Sequence, residues 1–301
     1  MMLLAAAMAL LLGAAPTANP YRVSPYVGAI SVDAQTGATL FEDKADAKAY
    51  PASVTKLMTA YLVLEDVKAG RLSLDDMVTA SPTVTKADVH YRQASCIGLA
   101  AGESMSVDTM LVWLMVHSAN DAAVFLAEKC AGSFDAFVAR MNEKAAELGM
   151  KDTVYYNPNG LPPPKNAKER KFNVSTCRDL AKLAMAVLND CPEMLRYTSV
   201  KVASLDVPVT RDGKRVWEKH NIKNHNNVMV KNTLKVVNPD GTEAVDGLKT
   251  GYIDAGGSSV VLTGTRSGKR AIVVVLGSAS APERDANAAR LLDDALGALV
   301  W

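Results

Sequence analysis

Hydrophobic positions along the chain follow two periods. Across residues 26–41, strand-forming stretches flank Asp33, Ala34, Gln35, Thr36 and Gly37, the pattern of a hairpin. A second hairpin is written near the other end. Residues 259–265 and 271–276 are rich in Val, Ile, Leu and Thr, and Arg266, Ser267, Gly268 and Lys269 part them. Between the two hairpins the apolar spacing turns helical. It predicts helices over residues 52–67, ended by Gly70; 107–116; 121–130, ended by Gly132; 134–148, ended by Gly149; and 178–189, stopped before Pro192. A last helix is expected over about residues 284–296. Residues 161–172, with three consecutive prolines and four Lys/Arg, and residues 238–247 read as loops. Strands early, helices in the middle and strands late predict an α+β fold. The N- and C-terminal hairpins form one antiparallel sheet, a mostly helical lobe is inserted between them, and a cleft lies where the two meet.

Composition narrows the class of protein. The 301 residues carry 33 Lys plus Arg against 32 Asp plus Glu, a net charge of +1, and 49% are hydrophobic. Such a chain buries its own core without metal or disulfide staples, and it lacks the basic footprint that a nucleic-acid partner requires. With aromatics at 6%, that core must be mainly aliphatic. Residues 1–15 are apolar and uncharged and lead into Pro16, Thr17, Ala18 and Asn19, which reads as the apolar region of an export signal, too short to span a bilayer. The basic residues that open such a leader are missing, since the first charge is Arg22. The expected organisation is a signal peptide over residues 1–20 and one domain over 21–301, exported to the periplasm or the extracellular cell envelope. Cys96, Cys130, Cys177 and Cys191 form no metal-binding spacing and read as incidental thiols. A helix between Cys177 and Cys191 would hold those two about 20 Å apart, beyond disulfide reach.

Three short motifs carry chemistry. Ser53-Val54-Thr55-Lys56 opens an apolar helix after Pro51, so a hydroxyl and an amine lie one turn apart on one face. The plainer reading is a helix-opening serine and a surface lysine. Against it, Leu57, Ala60, Tyr61 and Leu64 beside the pair, with Val54, Met58 and Leu62 elsewhere, make the helix apolar all round and therefore buried. Ser118-Ala119-Asn120 lies between two helices, and on its own Ser118 with Asp121 resembles a capping box. Lys249-Thr250-Gly251 sits in a short strand-like run before the terminal hairpin, where Gly251 would leave room for a ligand backbone at the strand edge.

Together, in this order and context, the three motifs resemble those of the serine DD-peptidases, the low-molecular-weight penicillin-binding proteins that act as D-alanyl-D-alanine carboxypeptidases and share a fold with serine β-lactamases. The resemblance runs from about Tyr26 to Trp301 and includes Tyr50-Pro51-Ala52, Asn120-Asp121-Ala122 and the stretch from Asn157 to Leu161. It implies Ser53 as nucleophile, Lys56 as its proton acceptor and Ser118 as a proton relay to the leaving amine. Asn120 would bind the substrate amide, and Lys249, Thr250, Gly251 and Arg284 the end of the chain that bears the terminal carboxylate. The backbone N–H groups of Ser53 and Tyr252 would form the oxyanion hole. Arg284 has an equally plain reading as a solvated residue opening the last helix. The implied partners are a peptidoglycan stem peptide as substrate and β-lactams as covalent inhibitors, with no cofactor, no metal and no nucleic acid.

Relatives often continue into a β-rich domain and an amphipathic anchoring helix, whereas the chain reads to Trp301 with no C-terminal membrane anchor in view. Residues 162–171 look like an insertion. A DD-endopeptidase acting on cross-links, a serine β-lactamase and a non-catalytic peptidoglycan sensor are the alternatives. No Glu-x-x-Leu-Asn segment lies between Asn120 and Lys249 to direct a deacylating water as in class A β-lactamases. Of the four histidines, His90, His117, His220 and His225, the last two read as solvated loop residues. Gly264 to Lys269 has the wrong spacing for a phosphate loop and reads as a hairpin turn.

Overall fold

The computed structural model describes residues 26–82, 95–163, 168–231 and 234–300. Residues 1–20, read above as a signal peptide, His90, part of the 162–171 segment and Trp301 lie outside the described residues. Five strands form one antiparallel sheet: β1 (Gly28–Asp33), β2 (Thr39–Asp43), β7 (Val245–Ile253), β8 (Gly257–Arg266) and β9 (Lys269–Ser278), in the order β2-β1-β9-β8-β7. The first and last of the described strands therefore meet, through the pairing of β1 with β9. Strand β9 shows why its sequence is an unbroken apolar run. Ile272, Val274 and Leu276 enter the core shared with the helical lobe, while Ala271, Val273 and Val275 enter a second core on the other face. A strand covered on both sides has no polar face to present.

The helical lobe holds α1 (Lys56–Lys68), α2 (Val107–Val116), α3 (Asn120–Ala131), α4 (Phe134–Glu147) and α5 (Cys177–Asp190), with α6 (Leu195–Thr198) and α7 (Asn227–Val230) as single turns. Helix α8 (Ala281–Leu299) covers the second face of the sheet. Their starts follow from the sequence, because the side chains of Ser106, Ser133, Thr176 and Ser280 each accept a backbone N–H of the first turn. Helix α1 is the lobe's axis, buried from Lys56 through Leu64. The four cysteines form no disulfide.

The short strands β3 (Met77–Thr79) and β4 (Ser104–Ser106) pair with each other. A long hairpin also stands where no element was expected: β5 (Val202–Arg211) and β6 (Lys214–Lys223), paired over their whole length. Its turn, Asp212-Gly213, has both residues at positive φ, 50° and 74°. That is the conformation an Asp-Gly pair takes in a two-residue hairpin loop.

Candidate active site

Ser53 does not stand in an α-helix. It lies in a 3-10 turn, Ala52–Thr55, that feeds into α1 at Lys56, and Ala52 before it is held at φ 51°. The spacing still places the two side chains together. Lys56 Nζ is 2.9 Å from Ser53 Oγ, 2.8 Å from Asn120 Oδ1 and 2.7 Å from the carbonyl oxygen of Asn159. Two of these partners only accept, whereas the hydroxyl can also donate. A neutral amine therefore spends both hydrogens on Asn120 and Asn159 and turns its lone pair to the Ser53 proton. Burial, and after it the charge of Lys249, hold Lys56 well below the ordinary lysine value.

Asn159 reaches this point because its loop lies against the Ser53 turn. Gly160, at φ 82°, packs so closely that a Cβ there would stand 1.8 Å from the Ala52 carbonyl oxygen. Gly251 is a second close approach. A Cβ at 251 would come within 2.5 Å of the Pro51 carbonyl oxygen and 3.0 Å of the Ser53 nitrogen. The glycine thus seats the Ser53 turn on β7, a different reason from the ligand space expected at that position.

Asn120 is fixed at both ends of its amide, since Nδ2 donates to the Ser95 carbonyl at 3.0 Å. Among the described residues no acceptor takes the second Nδ2 hydrogen. Ser118 stands at φ 61° and is buried, and no described side chain is hydrogen-bonded to it. The capping-box reading of Ser118 fails. The residue before helix α3 is Ala119, and the Asp121 carboxylate accepts instead from the backbone N–H groups of Ile97, Gly98 and Ala122. Burial raises the Asp121 carboxyl above its usual range.

On the sheet side, Lys249 and Thr250 are buried in β7 and Tyr252 is exposed. Lys249 Nζ donates to the Thr250 carbonyl at 2.9 Å. Burial, then the Arg284 charge, pull Lys249 down to about 7. Arg284 lies in the first turn of α8, only 4% exposed, with Nε and Nη2 both on Asp285 Oδ1 at 2.8 and 2.6 Å. Its reading as a solvated helix-opening residue is thereby replaced. His225 is exposed in the loop after β6, as expected, whereas His220, also expected in a loop, is exposed on strand β6. The His225 pKa is lowered by desolvation first, and then by the charges of Lys249, His117, Lys56 and Arg284.

The depressed Lys249 pKa has a thermodynamic sign. Between about 7 and its unfolded value near 10.5 the unfolded chain binds the extra proton, so stability rises with pH across that window. Lys249→Met is expected to stabilise the fold by on the order of 2 kcal/mol below pH 7, with the gain gone by about pH 10.5. Urea unfolding at pH 6.5 and pH 10 checks this. Equal stability of variant and parent at pH 6.5 would show that the buried amine costs nothing.

The family model for D-alanyl-D-alanine carboxypeptidases, Peptidase_S11, matches residues 24–280. The chain belongs to this family. It is 31% identical over 268 residues to the D-alanyl-D-alanine carboxypeptidase DacF of Bacillus subtilis, covering 88% of this chain and 60% of that protein. With DacC of Escherichia coli it shares 32% identity over 284 residues, 91% of this chain and 64% of the relative. The chain thus spans somewhat under two thirds of the length of these curated relatives. Among solved structures, Penicillin-Binding Protein D2 from Listeria monocytogenes, in its ampicillin-bound form, is similar with a TM-score of 0.66 at 28% identity, covering 89% of this chain and 97% of that one. The family fold agrees with the α+β architecture expected from the two terminal hairpins.

Of the predicted site residues, the structure brings Ser53, Lys56 and Asn120 into direct contact and places Lys249 and Arg284 within electrostatic reach of one another. Two participants were missed. The Asn159 carbonyl is a backbone atom, and its only trace in the sequence was the Asn157 to Leu161 stretch that carried part of the resemblance. Asp121, which ties the Ser95–Gly98 segment to α3, was visible in the chain but misread as a cap.

Proposed function

We propose that this protein is a serine DD-peptidase that removes the terminal D-alanine from peptidoglycan stem peptides through an acyl-enzyme on Ser53. The observation that carries the reading is the buried Lys56 amine, 2.9 Å from Ser53 Oγ, with its two other partners both acceptors. Ser53 Oγ attacks the carbonyl of the penultimate D-alanine while its proton passes to Lys56 Nζ. The developing oxyanion is held by the backbone N–H groups of Ser53 and Tyr252. The C–N bond then breaks, and the departing D-alanine amine takes a proton delivered through Ser118. Water, deprotonated in turn at the same amine, hydrolyses the ester.

Lys249, Thr250 and Arg284 receive the terminal carboxylate. An incoming carboxylate would return the Lys249 proton that burial weakens, so substrate binding completes the charge pattern of the site. Gly251 keeps the strand that presents these groups against the nucleophile turn. A β-lactam offers the same elements, a strained amide beside a carboxylate, and is expected to acylate Ser53. Among the described residues no helix is long and apolar enough to cross a membrane. Residues 1–20 are read as an export signal and 21–301 as the catalytic domain acting in the cell envelope.

The test is direct. Mature protein is incubated with a stem pentapeptide ending in D-Ala-D-Ala and with a cross-linked dimer, and free D-alanine and monomers are followed by mass spectrometry. Release of D-alanine from the pentapeptide is expected. Cleavage of the dimer alone would make the protein an endopeptidase, and no turnover of either would leave only a binding role.

A further inference from the structure

From Ser95 to Glu103 the chain is neither helix nor strand, yet the Asn120 amide depends on it. The Ser95 carbonyl accepts the backbone N–H of Asn120 at 2.7 Å and its Nδ2 at 3.0 Å, which turns Oδ1 to Lys56 Nζ at 2.8 Å. Reversed, the amide would set its NH2 group against the lysine and its oxygen against the Ser95 carbonyl. Lys56 would then lose one of the two acceptors that aim its lone pair at Ser53. The place of the Ser95 carbonyl therefore decides how Lys56 is aimed. An irregular segment has no ladder of its own, so its position rests on the bonds that side chains make to it.

Two side chains hold it among the described residues. From within the lobe, Asp121 accepts from the N–H groups of Ile97 and Gly98, each at 2.9 Å. From the other side comes Arg215, the second residue of β6, beside the tip of the β5–β6 hairpin and 117 positions along the chain from Gly98. Its Nη2 donates to the Gly98 carbonyl at 2.7 Å and to Glu103 Oε2 at 2.8 Å, and its Nε donates to Glu103 Oε1 at 2.9 Å. Glu103 is itself tied down. Its Oε2 also accepts the Ala100 N–H at 2.7 Å, and its carbonyl accepts the Ala80 N–H at 2.8 Å. The Arg215 side chain is 34% exposed and that of Glu103 18%, so this forked pair is partly withdrawn from water. The hairpin that carries Arg215 is rooted in the core of the lobe through Ala203, Leu205, Val207 and Ile222.

We propose that Arg215 is a positioning residue for acylation of Ser53: it holds the Ser95–Glu103 segment, and with it the orientation of the Asn120 amide that aims Lys56. This role rests on the DD-peptidase reading. Arg215 bonds to Gly98, Glu103 and the Pro208 carbonyl rather than to the reacting groups, and acts on them through Asn120.

Arg215→Met keeps the reach of the side chain and removes every donor. In folded protein, confirmed by the thermal unfolding midpoint, acylation by a chromogenic β-lactam should fall about tenfold, as a small misalignment at the reacting groups requires. Arg215→Lys keeps the charge without the fork. It should lose about threefold, and it carries the comparison if methionine prevents folding. The decisive arm is the Asn120→Ala background. With the amide gone, Arg215→Met should change the residual acylation, followed by intact mass, by no more than about twofold, whereas a merely structural role would lower it by the same factor in both backgrounds. Hydrogen exchange over residues 95–103 should quicken in Arg215→Met. A folded Arg215→Met protein acylated as fast as the parent, an equal loss in both backgrounds, or unchanged exchange would overturn the positioning role and leave the peptidase reading intact. A folded parent that is never acylated would overturn the peptidase reading, and the positioning role with it.

Discussion

Replacing Lys56 with arginine is expected to slow acylation of Ser53 by at least about a thousandfold, the scale on which a positioned general base works. Guanidinium stays protonated throughout the accessible pH range and has no lone pair for the Ser53 proton. Lys249→Arg keeps its charge and should retain measurable acylation with weaker substrate capture. The same pair sets the pH profile. Acylation should rise as Lys56 loses its proton, well below the ordinary lysine value, and fall as Lys249 is neutralised near 7 in the empty enzyme. The limbs belong to the coupled pair rather than to either amine. Because kcat/KM reports the free enzyme and kcat the complex, the alkaline limb should move upward in kcat, where the bound carboxylate holds the Lys249 proton. Stopped-flow acylation with a chromogenic β-lactam measures both variants. The reverse ranking, with Lys56→Arg active and Lys249→Arg dead, would exchange the roles of base and anchor.

A methyl group at Gly160 should be nearly as damaging, though no part of glycine takes part in the chemistry. The new Cβ would lie 1.8 Å from the Ala52 carbonyl oxygen and 2.3 Å from its carbon, both backbone atoms, at a φ of 82° that alanine disfavours. Something must move, and what moves is the turn that carries Ser53 or the loop that carries the Asn159 carbonyl. Gly160→Ala is expected to cost about 3 kcal/mol or more of stability. Displacement of Ser53 from Lys56 by even a fraction of an ångström should lower acylation of the surviving folded protein about a hundredfold. Chemical denaturation and acylation rates test the two effects separately. A variant as stable and as reactive as the parent would show that the two loops are not packed as described.

How far the sequence could be read depended on where each element's information lay. Helices α2 to α5 were legible to within a residue or two because each pairs an apolar period with local start or stop signals, such as Thr176 before α5 and Gly132 after α3. The buried strands were legible as apolar runs. The β5–β6 hairpin was not, because β6 buries only Ile222 and exposes polar or charged residues along most of its length, so no alternation marks it. Its one clear sign was Asp212-Gly213. At the site, the side chains of Ser53, Lys56 and Lys249 followed from motif spacing, but their electrostatics required burial. Only the fold shows that Lys249 is itself drawn down by Arg284, and that Arg284 is buried rather than solvated. The Asn159 carbonyl that helps aim Lys56 belongs to the backbone, and no residue type announces it.

The proposed chemistry turns on Ser53, activated by Lys56, as the nucleophile. Intact-mass measurement of the protein after exposure to benzylpenicillin, followed by peptide mapping, tests it most directly. One adduct is expected, on the peptide bearing Ser53, absent from a folded Ser53→Ala variant. An adduct on any other residue, or none on folded protein, would contradict it.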